Sequence, residues 1–164
     1  MEHKQLLTVF NSLPVGIGFF TADGTLVRCN ESFCRIFGAD SQTLLGNKLN
    51  INENSVVPDV VKEAVRRCVP VQMSFLYDFD KQRTDKRFFS TRTRTCYLKC
   101  NGNPLYDNDG KFVNYIFIFE DITETVKSEE VLRQSRRKTE LAMKAANIMF
   151  WRLCIRMTVV RLLK

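Results

Sequence analysis

Histidine is almost absent from this chain. The single one, His3, stands at the very start, so a histidine-based metal centre, general base or phosphoacceptor has no residue to use. No nucleophile with a partner base is evident, and no glycine-rich phosphate cradle occurs to hold a nucleotide. Enzymatic activity is therefore not expected, nor is a metal site. Long apolar runs are missing too. The best stretch, Ala145 to Leu163, is interrupted by Arg152, Arg156 and Arg161, each worth about 2.5–3.5 kcal/mol against insertion at the bilayer centre. The opening Met1–Gln5 has no apolar run behind it, as a secretory or transit signal would require. A soluble, cytoplasmic chain with no membrane span is expected. The six cysteines contain no CxxC pair and sit in apolar patterns, as small hydrophobes do in a reducing compartment. If Cys96 and Cys100 share one strand, they lie about 13 Å apart along it and cannot bridge.

What is present points to one core and an appendage. The 164 residues are 45% hydrophobic and 26% charged, enough to bury one core but not two. Phenylalanine, at 13 residues against 4 tyrosines and 1 tryptophan, fills an interior without needing a hydrogen-bond partner. The net charge of +7 gathers in Lys81–Arg87, running on to Arg92 and Arg94, and in Arg133–Lys138. Neither stretch interleaves aromatics as base-stacking platforms, so both read as solvated faces and no nucleic-acid partner is expected.

Periodicity then orders the elements. Residues 2–12 form an amphipathic helix through Leu6, Leu7, Val9 and Phe10, ended by Pro14. Strands at Val15–Thr21 and Thr25–Cys29 flank the turn Ala22–Gly24. Asn30 caps a two-turn helix carrying Phe33, Ile36 and Phe37, and Gly38 stops it. Asp40 or Ser41 starts another short turn through Leu44 and Leu45. From Pro58, the residues Val60, Val61, Ala64, Val65 and Cys68 form one helical stripe. Val71, Met73, Phe75, Tyr77 and Phe79 alternate with Gln72, Ser74, Leu76, Asp78 and Asp80 as a half-buried strand. After a polar loop at Lys81–Arg87, threonine-rich residues from Phe88 to Asn101 predict a long strand. The turn Asp107–Gly110 leads into a last strand, Phe112–Phe119, with Ile116 and Ile118 on one face and Tyr115, Phe117 and Phe119 on the other. The sum is an α+β domain on a five-stranded antiparallel sheet, with short helices inserted between strands 2 and 3. From Thr123 to Ala146 neither Pro nor Gly occurs, and Glu129–Arg133 and Glu140–Lys144 are favourable pairs, so a long C-terminal helix follows. Its seam is weak, because nothing apolar falls between Leu132 and Leu141.

Two stretches carry a resemblance. Gly18-Phe-Phe-Thr-Ala-Asp-Gly-Thr-Leu-Val-Arg-Cys-Asn30-Glu-Ser-Phe-Cys34 resembles the opening hairpin and Asn-capped helix of the PAS fold of sensor proteins. Asp109-Gly-Lys111, continuing through Phe119-Glu-Asp-Ile-Thr-Glu124, resembles its closing strand and Asp-Ile-Thr junction. The resemblance implies a PAS domain over 1–122, a signalling or linker helix over 123–146, and a remainder, 147–164. A weaker resemblance over Thr139–Leu153 suggests the first helix and strand of a second PAS repeat. The tail Cys154–Lys164 shows no turn signal, which suggests a truncated or frame-disrupted reading frame.

The resemblance also implies a role. Domains of this type hold a small-molecule pocket, or simply a packed core, between sheet and inserted helices, and stand upstream of histidine kinases, cyclases and transcription regulators. The pocket candidates are Phe33, Phe37, Leu45, Val61, Val65, Met73, Phe75, Tyr77, Ile116 and Ile118, each of which packing alone would also explain. Asn30 is the helix cap, and Asp121, Ile122 and Thr123 are the signal junction. The cofactor is unknown. Haem is disfavoured because His3 lies outside the core, with Cys68 or Met73 as the remaining axial ligands. Flavin photochemistry is disfavoured because Cys34-Arg-Ile-Phe37 lacks the Asn and Gln surroundings of the light-sensing subfamily. The expectation is a sensory input module of a two-component type that binds a small apolar ligand, dimerises through its flanking helices, or does both, and regulates a downstream signalling domain or kinase. The alternative is a ligand-independent PAS dimerisation domain.

Overall fold

Local signals set most of the elements in the computed structural model, which describes residues 2–83 and 90–162. The order is α1 (Glu2–Ser12), β1 (Gly16–Phe20), β2 (Leu26–Cys29), α2 (Glu31–Phe37), α3 (Ser41–Gly46), α4 (Asp59–Arg67), β3 (Val71–Asp78), α5 (Phe79–Arg83), β4 (Thr95–Tyr106), β5 (Phe112–Asp121) and α6 (Thr123–Leu162). The strands form one antiparallel sheet in the order β2-β1-β5-β4-β3. The helices α2 to α4 are inserted between β2 and β3, so the fold is α+β as the sequence pattern predicts.

One face of the sheet carries the core. Along β5, Tyr115, Phe117 and Phe119 are buried and alternate with half-buried Asn114, Ile116 and Ile118. Opposite Phe117 lies Gly102. A Cβ there would stand 2.4 Å from the Phe117 ring and 2.7 Å from that of Tyr115, so the glycine makes room for two stacked aromatics. On the other face of the sheet, Phe10 of α1 meets Phe19 of β1, ring centroids 6.0 Å apart.

Two segments depart from expectation. The helix α5 occupies the start of the predicted polar loop, because the Asp78 carboxylate accepts from the backbone N–H of Asp80 and Lys81 and caps a turn there. Phe79 leaves the strand but stays 1% exposed. The rest of that loop and the predicted strand start at Phe88 fall on residues 84–89, outside the described residues. The strand β4 begins only at Thr95: Thr91 and Arg92 are bonded to the end of α2, and Arg94 takes a positive φ of 75° that breaks extended pairing. Beyond Gly102 the strand keeps β5 alone as its partner, an edge position that tolerates Pro104.

By residue contacts the chain divides into two units, Met1–Thr123 and Glu124–Lys164. The second consists of helix α6, which runs to Leu162 through the stretch where a strand of a second repeat was expected. With no Pro or Gly after Thr123, nothing stops it. Among its described side chains, Lys127 pairs with Glu124 and Arg133 with Glu130, both at 2.9 Å, so Arg133 takes Glu130 in place of the expected Glu129. Among the described residues, no helix is long and apolar enough to cross a membrane.

Candidate functional site

Between the sheet and the inserted helices the aromatic rings close on one another. Phe33 and Phe37 stand 4.5 Å apart, and Phe37 meets Phe119 at 5.3 Å and Tyr77 at 5.5 Å. Among the described residues they leave a cavity of about 20 Å³, room for one water. Phe33, Phe37, Val61, Phe75 and Tyr77 line it, together with Phe20, Phe119, Leu49, Ile51, Asn54 and Val57, which were not among the candidates.

The remaining pocket candidates lie elsewhere. Val65 is fully buried in the core and Met73 packs against it half-buried, neither on the cavity wall. Leu45 is a correction: it is 36% exposed, because in the short helix α3 it is Leu44 that turns inward. Ile116 and Ile118 are a second correction. Strand alternation sends them to the opposite face of the sheet, where they pair with Phe19 and Ile17, and Phe117 and Phe119 take the core side.

Beside the cavity the Tyr77 hydroxyl accepts from Asn54 Nδ2 at 3.1 Å and donates to Gln82 Oε1. Burial pushes this phenol above its ordinary range, so it stays neutral and its three-residue network needs no counter-charge. A second buried network centres on Asn30. Its Oδ1 accepts from Phe33 N, which caps α2, and from Ile17 N, while its Nδ2 donates to the carbonyls of Phe10 and Val15. One side chain thus ties together α1, β1 and α2.

The end of β5 carries a third arrangement. The Asp121 carboxylate accepts from Thr123 N at 3.1 Å, from Thr123 Oγ1 at 2.6 Å and from Arg92 Nη2 at 3.0 Å. Tyr97 of β4 is held on both sides, its N–H on Thr123 Oγ1 and its carbonyl by Ile122 N, each at 2.9 Å. Arg92 does more than pair with Asp121. Its Nη1 donates to the Ile36 carbonyl at the end of α2, and its guanidinium lies 5.5 Å over the Phe79 ring. Partial burial alone would raise the Asp121 carboxyl, but the Thr123 hydrogen bonds and the Arg92 charge outweigh it and hold the group below the usual carboxylate range. In the sequence Arg92 belongs to a basic stretch and to a threonine-rich strand pattern; its bonds to Ile36 and Asp121, far away in the chain, leave no local signal.

The arrangement defines the protein's class. Residues 10–127 match the PAS fold family, and the chain belongs to it. Among solved structures it is similar to an RNA-binding Light-Oxygen-Voltage receptor, at 17% identity and a TM-score of 0.62 over 82% of this chain and 37% of that one. It thus spans little more than a third of that receptor. It is also similar to a PAS domain from a two-component sensor histidine kinase (14%, TM-score 0.54, 73% of this chain and 96% of that one). A third likeness is the PAS domain from the fruit-fly ELK potassium channel (9%, TM-score 0.57, 75% and 98%). At these identities the likeness is one of fold. No curated protein matches the sequence.

Proposed function

We propose that this PAS domain is a non-catalytic, cytoplasmic signalling module that dimerises and acts on an output domain such as a kinase through α6. In this reading it works by its packing and not by a resident ligand. The observation that carries it is the core: with about 20 Å³ free, any ligand larger than water must first displace side chains that line the cavity. A small apolar ligand would therefore have to recover the cost of opening a packed interior. The occurrence of the fold in a sensor histidine kinase and in a potassium channel supports a module that serves an output domain and does no chemistry itself. Dimerisation is supported by apolar side chains standing in solvent on both flanking helices, Leu6 and Val9 on α1 and Val131, Leu132, Leu141 and Met143 on α6.

Coupling runs through Arg92, which touches the end of α2, the α5 ring and the carboxylate at the start of α6. A bias on α2 is then felt at Asp121, with an effect of about 1–3 kcal/mol, the usual size of such links. Native mass spectrometry of the freshly purified chain tests the reading. A dimer of bare sequence mass is expected. Retained extra mass would overturn the packed-core reading in favour of a small ligand, and a monomer would remove dimerisation from the account.

A further inference from the structure

Helix α2 opens on a staple made of two cysteines. Asn30 is the cap, so Cys29 stands just before it and Cys34 is the fourth residue inside the helix. At these two positions apolar side chains commonly meet and fix the angle at which the chain enters. Here they meet sulfur to sulfur at 3.8 Å, and both residues are partly exposed. Two aliphatic side chains would pack as well, but two thiols in contact have an additional reaction open to them. A disulfide requires the sulfurs to come to about 2.05 Å, a closure of under about 2 Å on side chains that already touch. Cys96 and Cys100 offer a contrast: both are buried on β4, four positions apart, where strand rise keeps them about 13 Å from one another.

We propose that Cys29 and Cys34 are a reversible dithiol site, closed to an intramolecular disulfide by a hydroperoxide. In the first step the Cys34 thiolate attacks one peroxide oxygen. The O–O bond breaks, a sulfenic acid forms on Cys34, and the other oxygen leaves and takes up a proton as alcohol or water. In the second step the Cys29 thiolate attacks the Cys34 sulfur. The S–S bond forms, and the sulfenic oxygen leaves with the second proton as water. Two thiols and one hydroperoxide thus become one disulfide, one alcohol or water, and one water. The sulfurs give up two electrons and the peroxide bond takes them. Cys34 acts first in this scheme because it is the less buried of the two. Burial, then the neighbouring Cys34, push the Cys29 thiol up to about 12, and burial raises Cys34 as well. Little thiolate is present at neutral pH, so the site responds slowly and to sustained oxidant, unlike an activated catalytic thiol. Once formed, the bond joins the end of β2 to the first turn of α2, opposite the end that Arg92 holds.

The flanking residues make the test direct. Trypsin cuts after Arg28 and after Arg35, so both thiols fall in one peptide, Cys29–Arg35. The full chain is treated with hydrogen peroxide, blocked with an alkylating reagent, digested without reductant and read by mass spectrometry. Before oxidation the peptide carries two alkyl groups. After oxidation it is expected to carry none, to be lighter than the free peptide by two hydrogens, and to regain both alkyl groups after dithiothreitol. Cys34→Ser should abolish the lighter species. The idea is overturned if the peptide stays doubly alkylated while Cys68, Cys96 or Cys100 oxidises, or if Cys34 proceeds to sulfinic acid with Cys29 still free. A control on the wild-type chain does not depend on any variant folding: in urea, where unburied thiols meet peroxide faster, the share of oxidised Cys34 that closes on Cys29 instead of passing to sulfinic acid should fall several-fold, and an unchanged share would mean that the folded staple contributes nothing.

Discussion

Both ends of α2 are held by groups from distant parts of the chain, and they are held differently. At the start, Asn30 is 1% exposed and its side-chain bonds all go to neutral backbone groups, those of Phe10 in α1, Val15 just before β1, Ile17 in β1 and Phe33 in α2. At the other end, Gly38 takes the left-handed turn at φ 64°, and Arg92, Ser90 and Thr91 donate to the carbonyls of Ile36, Phe37 and Gly38. Arg92 then reaches on to Asp121, the two side chains being 37% and 26% exposed. A dry, neutral knot has one arrangement, because any other leaves polar groups without partners. A charged, half-wet clasp has several, because water can replace each partner at small cost. The first end defines the fold, and the second is where an equilibrium can shift.

The largest effect should come from breaking the dry end. Asn30→Ala leaves the buried N–H groups of Ile17 and Phe33 and the part-buried carbonyls of Phe10 and Val15 without their partner, at about 1–3 kcal/mol for each group that finds no water. A total loss of about 3–4 kcal/mol is expected in urea denaturation. A loss below about 1 kcal/mol would show that water replaces the side chain and that the contrast between the two ends is false.

The wet end should give less and should respond to salt. Arg92→Met and Asp121→Asn are each expected to cost about 1 kcal/mol, with a coupling of about 0.5–1 kcal/mol in a double-mutant cycle. In about 1 M salt the Debye length falls to about 3 Å and most of that coupling should disappear, while the Asn30→Ala loss stays as it was. Hydrogen exchange supplies a second readout: both variants should lose protection at the first turn of α6 and keep it across β3 and β4. Equal loss everywhere would make Arg92 a plain stabiliser and not a coupler.

The same contrast separates what local sequence reveals from what it hides. The Asn30 cap, the Gly38 stop and the alternation along β3 are readable because each depends on residues within a turn or two. The face of β5 is not, because Tyr115 to Phe119 are apolar on both sides and only pairing with β1 and β4 decides which side is inside. Leu49, Ile51 and Val57 line the cavity from a stretch with no regular period. The fifty-odd residues between Arg92 and the Ile36 carbonyl hide the clasp entirely, so that its threonines and arginines read as ordinary strand material. For the candidate site, the cap is legible from its own residues and the Asp121–Thr123 segment only through the resemblance, while the residue that joins them leaves no local signal.

The smallest effect, and the most specific, is the pH dependence of the clasp. Asp121 is held below its ordinary value of 3.8 in the folded chain, so its contribution is fully present above that value and fades as pH falls through the lower folded one. Asp121→Asn cannot titrate. The melting temperature of the wild type should therefore exceed that of the variant by a constant margin from about pH 7 down to about pH 5, with the margin narrowing below pH 4. Asn30→Ala, which removes no charge, should show the same deficit at every pH in that range. If the Asp121→Asn margin were flat to pH 3, the carboxylate charge would contribute nothing. The hydrogen bonds of Thr123 alone would then hold the junction, and Arg92 would lose its place in the relay.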